Sequence, residues 1–202
     1  MNSESQVVYL VDDDAAVRGA LEALLGSVGV PARSFPSGEA FLAIANPDLR
    51  GCLLLDVRMP GMGGMELHAK LQERGVSMPV IFITGHGDVP MAVRALKSGA
   101  ADFIEKPFNE QQLLDRVQAS LEEDQKAHQA RQANATARAA FALLTARETA
   151  VMELIAAGGH SKAIAADLGI KERTVDVHRF NIMRKVGVRT LAELLHRWHQ
   201  AF

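Results

Sequence analysis

Apolar residues along this chain fall into two patterns. In the first half, short unbroken apolar runs, VVYLV (7 to 11), CLLLD (52 to 56), VIFIT (80 to 84) and ADFIE (101 to 105), alternate with stretches of helical spacing. The runs are rich in β-branched residues and bounded by Gly, Pro or charge, as strands buried on both faces are. Alternating strand and helix predicts an α/β doubly wound parallel sheet, whose sites form outside the carboxyl ends of the strands. In the second half only helical periodicity remains. Thr145 and Glu148 predict a capping box that opens a helix with Val151, Leu154 and Ile155 on one face. A second helix follows Gly158 and Gly159 and ends at Gly169, and a third runs from near Lys171 to about Val186. A fourth starts at a capping box of Thr190 and Glu193 and carries Leu191, Leu194, Leu195 and Trp198. Four short helices with a glycine turn between the second and third predict an all-α helix-turn-helix domain.

The halves are joined by a compositional break, with neither Gly nor Pro from Phe108 to Ala157. Asn109 and Gln112 look like another capping box, followed by an apolar stripe of Leu113, Leu114, Val117 and Leu121. Beyond Leu121 the sequence EEDQKAHQARQANATARAA is rich in helix formers but offers only alanines for burial. Two readings stay open there: a continuation of the preceding helix, or a flexible, partly helical tether. The expected organisation is a domain over residues 1–121, a linker over 122–141 and a second domain over 142–202.

Composition agrees with two domains, since 202 residues with 48% hydrophobic can fill two modest cores. Charge is divided between them. Residues 1–121 hold 10 Lys and Arg against 15 Asp and Glu, and residues 142–202 hold 9 against 6. The acidic half suits a metal site and the basic half a polyanion. No apolar run approaches the roughly 20 residues needed to span a bilayer. The opening MNSESQ lacks the features of a signal peptide, so a cytoplasmic location without membrane partners is expected. The single cysteine, Cys52, begins an apolar strand and reads as a buried small hydrophobe.

Five polar residues, Asp12, Asp13, Asp56, Thr84 and Lys106, stand at the ends of the apolar runs, so the sheet would gather them at one crevice. Taken singly they have ordinary explanations: Asp13 and Asp14 as helix N-terminal acids, Lys106 as a surface lysine. Taken together they describe a phosphorylation site. Three close carboxylates repel one another unless a divalent cation neutralises them, and an oxygen-only site suits magnesium, or manganese. A carboxylate can act as a nucleophile and form an acyl phosphate. Lys106 and the Thr84 hydroxyl would then meet the phosphoryl oxygens.

With these residues in place, the first half resembles the receiver domain of a two-component response regulator, and ITGHGDVPMAV with GAADFIEKPF resembles the FixJ branch. The resemblance implies that Asp13 binds the metal directly with Asp12 in support, that Asp56 is the phosphoacceptor, and that the backbone carbonyl of Arg58, in DVRMPGMGG, is a further ligand. Thr84 and Phe103 match the family's switch pair, and a cis bond is implied before Pro107. Phe103 carries no hydroxyl, so its signal would be one of packing.

The second half resembles the LuxR/NarL output domain, through LTARETAVMELIAAG, IAADLGI and RTVDVHRFNIMRKVGV. At 100° per residue, Val175, Ile182 and Val186 share the inner face of the third helix, leaving Arg173, Val177, Phe180 and Arg184 near the opposite one. Cations mixed with apolar groups suit a major groove. By resemblance, Asp176, Val177 and Phe180 occupy base-reading positions, and Lys162, Thr174, His178 and Lys185 phosphate-contacting ones. Asp176 and Phe180 stand where the family often has basic residues. For Asp176 a solvated or ion-paired carboxylate competes with a cytosine contact, and for Phe180 packing on a neighbour competes with base reading.

The resulting expectation is a DNA-binding transcriptional response regulator, phosphorylated by a sensor histidine kinase, with a homodimer, promoter DNA and RNA polymerase as candidate partners. The alternatives are an aspartate-nucleophile phosphatase and a protein-interaction module without DNA binding. The phosphatase needs an acid/base two residues beyond the nucleophile, where Arg58 stands, and the basic outward face of the third helix argues against the interaction module.

Overall fold

The structure is a computed structural model that describes residues 6–85 and 89–202. His86, Gly87 and Asp88 of the ITGHGDVPMAV motif lie outside the described residues. The chain divides into two compact units, up to Ala127 and from His128 onward.

The first unit is built on β1 (Val7–Val11), β2 (Ala32–Phe35), β3 (Gly51–Asp56), β4 (Val80–Thr84) and β5 (Asp102–Glu105), interleaved with α1 (Ala15–Ser27), α2 (Gly38–Leu42), α3 (Gly64–Glu73) and α4 (Val89–Lys97). The strands form one parallel sheet in the order β2-β1-β3-β4-β5. The order reverses between β1 and β3, the switch point at which doubly wound sheets open a crevice. Side chains alternate across the sheet. Tyr9, Val11, Leu53, Leu55 and Phe82 face one core with Leu67 and Leu71 of α3. Val8, Leu10, Cys52, Leu54, Ile81 and Ile104 face the other, with Leu21 and Leu25 of α1. Each fully buried side chain of this size contributes roughly 1.5–3 kcal/mol, so the runs that announced the strands also drive their assembly.

The helix after β5, α5, runs from Glu110 to Phe141 as a single 32-residue element. Asn109 caps it through Gln112 N–H at 3.1 Å. Leu113, Val117 and Leu121 pack on the sheet as expected. Past Leu121, burial comes from a charged residue. Asp124 Oδ2 accepts from Arg50 Nε at 2.9 Å, Gly51 N–H at 3.0 Å and Gln6 Nε2 at 3.0 Å, tying the helix to the starts of β1 and β3. Residues 122–141, for which two readings were open, are helical throughout. Its last turns, through Ala137 and Phe141, belong to the core of the second unit.

The second unit adds α6 (Ala146–Ala156), α7 (Ser161–Leu168), α8 (Glu172–Val186) and α9 (Leu191–Ala201). The capping box of Thr145 and Glu148 is complete. That of Thr190 and Glu193 is half formed: Glu193 N–H donates to Thr190 Oγ1 at 3.1 Å, while the Glu193 carboxylate accepts from Arg189 N–H instead of closing on Thr190. Gly169 and Gly187 end α7 and α8 in the left-handed conformation, at φ of 63° and 75°, where a side chain would be strained. Val175, Ile182 and Val186 of α8 pack against Val151, Ile155, Ile164 and Leu194, and Phe141 meets Trp198 edge-on at 5.0 Å.

Candidate functional site

The strand ends bring Asp12, Asp56, Thr84 and Lys106 to the carboxyl edge of the sheet. Asp12 and Asp56 are 5% and 8% exposed, and Lys106 Nζ spans them, 2.7 Å from Asp12 Oδ2 and 3.1 Å from Asp56 Oδ1. Each remaining carboxylate oxygen takes a backbone donor: Asp14 N–H reaches Asp12 Oδ1 at 2.9 Å, and Arg58 N–H reaches Asp56 Oδ2 at 2.7 Å. Burial raises the Asp56 pKa, aided by the charge on Asp12 and opposed by Lys106 and the Arg58 amide. Burial works to lower the Lys106 pKa, but hydrogen bonds and attraction to both aspartates outweigh it and leave it raised. The ammonium is therefore a fixed charge in the crevice.

Asp13 is exposed, and Asp14, beside it, caps α1 through Ala16 N–H at 2.8 Å. Among the described residues no three His, Cys, Asp or Glu side chains converge closely enough to hold a metal, and Lys106 bridges the two buried carboxylates. The donor chemistry still fits a hard divalent cation. The acids are oxygen-only, and a second positive charge would relieve the pressure that burial puts on Asp56.

Thr84 is buried, and its carbonyl accepts Lys106 N–H at 2.8 Å. Phe103 is half-buried against the core on the α3 side, and the peptide between Lys106 and Pro107 is cis. Arg58 is exposed. Two supports had no signal in the sequence. Glu39 Oε1 accepts Met62 N–H at 2.9 Å and holds the loop after β3, while Arg18 donates to the Asp12 carbonyl at 2.7 Å. Gly64, where α3 begins, is forced by space, since a Cβ there would lie 2.2 Å from the Asp56 carbonyl oxygen.

On the second unit, α8 exposes Arg173, Thr174, Asp176, Val177, Phe180 and Arg184, and α7 exposes Lys162. Val177 is 52% and Phe180 65% exposed, unusual for apolar side chains without a partner. Phe180 is no part of the second unit's described core, and the Arg184 guanidinium lies over its ring, 5.9 Å from the centroid. His178 is half-buried. Lys185 is engaged within its own domain. Its Nζ donates to Glu148 Oε2 at 2.6 Å and to the Leu143 carbonyl at 3.2 Å, within the domain. The capping-box carboxylate recruits the nearest cation.

A doubly wound sheet with a lysine-bridged aspartate pair at its carboxyl edge, followed by a helix-turn-helix unit, defines a two-domain signalling protein. Residues 8–118 match the family described as response regulator receiver domain, and residues 142–198 match that of bacterial regulatory proteins, luxR family. The chain is 44% identical to nodulation protein W of Bradyrhizobium diazoefficiens, over 96% of this chain and 85% of that one. It is 47% identical to the transcriptional regulatory protein FixJ of Azorhizobium caulinodans, over 95% and 91%. The solved structure of the response regulator StyR matches with a TM-score of 0.87 at 45% identity, covering 97% of this chain and 99% of that one. The chain therefore belongs to the response regulators that join a receiver to a LuxR-type DNA-binding domain. It is a transcriptional regulator and not an enzyme. No described helix is long and apolar enough to cross a membrane.

Proposed function

We propose that Asp56 accepts a phosphoryl group from the phosphohistidine of a sensor kinase, or from a small phosphodonor, and that this controls promoter binding by α8 in the cytoplasm. The observation that carries the reading is the buried Asp56 carboxylate sharing one lysine with Asp12 at the strand ends. An oxygen of Asp56 attacks phosphorus, the bond to the donor's leaving group breaks, and an acyl phosphate forms. Lys106, already across the crevice, turns from the aspartates to the phosphoryl oxygens, with the Thr84 hydroxyl as a second donor. Asp12, Asp13, Asp56 and the Arg58 carbonyl would hold magnesium or manganese, which when bound offsets the charge that builds on the phosphoryl oxygens.

The Thr84 and Phe103 pair transmits the change to the face formed by α4, β5 and α5, where Val93 and Leu96 of α4 stand exposed. Dimerisation through that face then favours DNA binding, with RNA polymerase as a further partner at the promoter. Arg173, Arg184, Lys162, Thr174 and His178 serve the phosphate backbone, and Val177 and Phe180 read shape and thymine methyl groups. The test is labelling from a small phosphodonor followed by a mobility shift on genomic DNA. The wild type should take up phosphate only with a divalent cation and then bind DNA more tightly, and Asp56→Asn should do neither. Full labelling of Asp56→Asn would sink the assignment.

A further inference from the structure

Asp176 is the fifth residue of α8 and lies on its exposed face, yet its carboxylate is not loose. Oδ1 accepts from Ser161 Oγ, on the first residue of α7, at 2.9 Å, and the same Ser161 oxygen accepts from Arg179 Nη1 at 3.0 Å. The direction of this relay is fixed by chemistry. A guanidinium can only donate and an ionised carboxylate can only accept, so the hydroxyl proton must point at Asp176. Successive hydrogen bonds polarise one another, which sharpens the orientation. Oδ1 is thereby engaged, and Oδ2 has no intramolecular partner among the described residues. Arg179 places a compensating positive charge one hydroxyl away, which lowers the cost of bringing a carboxylate up to a polyanion.

A helix-turn-helix protein sets the first turns of its second helix against base edges in the major groove. An acceptor-only group there is repelled by purine N7, guanine O6 and thymine O4, and attracted by an exocyclic amino group. Cytosine presents its N4 amino group with no adjacent acceptor, whereas adenine N6 stands beside N7. The geometry points to Asp176 as a specificity-determining residue: a carboxylate held by the Ser161–Arg179 relay, with one oxygen directed to the amino group of a cytosine. This rests on α8 being the DNA-reading helix.

Selection from a random-sequence duplex library by the full-length chain, treated with acetyl phosphate, tests it. Wild type should enrich cytosine about tenfold over other bases at one position of each half-site. Asp176→Asn keeps the shape and can still accept from Ser161, but puts an amide NH2 where Oδ2 was. Preference at that position should move to adenine, whose N6 and N7 an amide can bridge. Ser161→Ala should keep cytosine but lose several-fold of the discrimination, because the carboxylate is then free to turn. Selection of the same bases by Asp176→Asn, with uniformly weaker binding, would show that Asp176 only supports the fold and would overturn the proposal. Undiminished discrimination by Ser161→Ala would overturn the pre-orientation. If the wild type enriches no sequence at all, the DNA-reading role of α8 fails and this inference with it, a result visible in the wild-type arm alone.

Discussion

Lys185 shows how a side chain singled out by a local motif can have its partner far along the chain. Its resemblance to a phosphate contact is carried by a local motif, whereas its actual partner, Glu148, is 37 positions away and gives no local signal. The Glu148 carboxyl is held down to about 2, chiefly by the hydrogen bond from Lys185 and then by Thr145. Lys185→Ala should cost the output domain about 2 kcal/mol, since it leaves a buried carboxylate without its cation. Unfolding in denaturant, followed by the fluorescence of Trp198, the chain's one tryptophan, measures this. The pH dependence follows from the folded pKa lying below the ordinary value of 4.5. The stabilisation is present in full above about pH 4.5 and drains away as pH falls toward 2. Wild type should lose more stability across that window than Lys185→Ala; equal losses would mean that the pair does not carry the shift. Asp12, Asp56, Thr84 and Lys106 were legible for the opposite reason. Each ends an apolar run, so the sheet's topology alone gathers them.

Among the elements, β1, β3 and β4 were visible as apolar runs because both faces of each are covered, and β5 because Phe103 and Ile104 stand together between charged residues. The edge strand β2, ARSF, was not singled out: none of its residues is fully buried and Arg33 and Ser34 interrupt its apolar positions, so its composition carries no run. The course of α5 past Leu121 was undecidable from periodicity, because what anchors the next turn is Asp124, a residue whose type argues for the surface. Its partner Arg50 lies 74 positions earlier. Arg50→Ala should destabilise the receiver by about 3–5 kcal/mol, as it strands a buried charge, and the joint change Arg50→Met with Asp124→Leu should recover at least half of that. Hydrogen exchange at the amides of β1 and β3 reads the outcome. A single variant as stable as the wild type would mean that the helix is held by its apolar stripe, and a double variant as weak as the single one that the loss does not come from the stranded charge.

For the molecule as a whole, an acidic receiver and a basic output domain on one chain are useful only if phosphate changes their joint behaviour. Phosphorylation should raise the sedimenting mass to that of a dimer, and Leu96→Glu on α4 should prevent this without reducing labelling of Asp56. An unchanged mass in wild type would remove dimerisation from the mechanism. Asp12, Asp56 and Lys106 stand at the ends of three different strands and arrive in that order during synthesis, the last of them 94 positions after the first. A ribosome that has delivered β3 has already made Asp56, the acceptor we propose, but not the lysine that completes its surroundings. Competence to signal is thus a certificate of maturity. On the proposed mechanism, a receiver still lacking β5 presents the acceptor without the ammonium that would meet the phosphoryl oxygens, so a full response waits for the finished sheet.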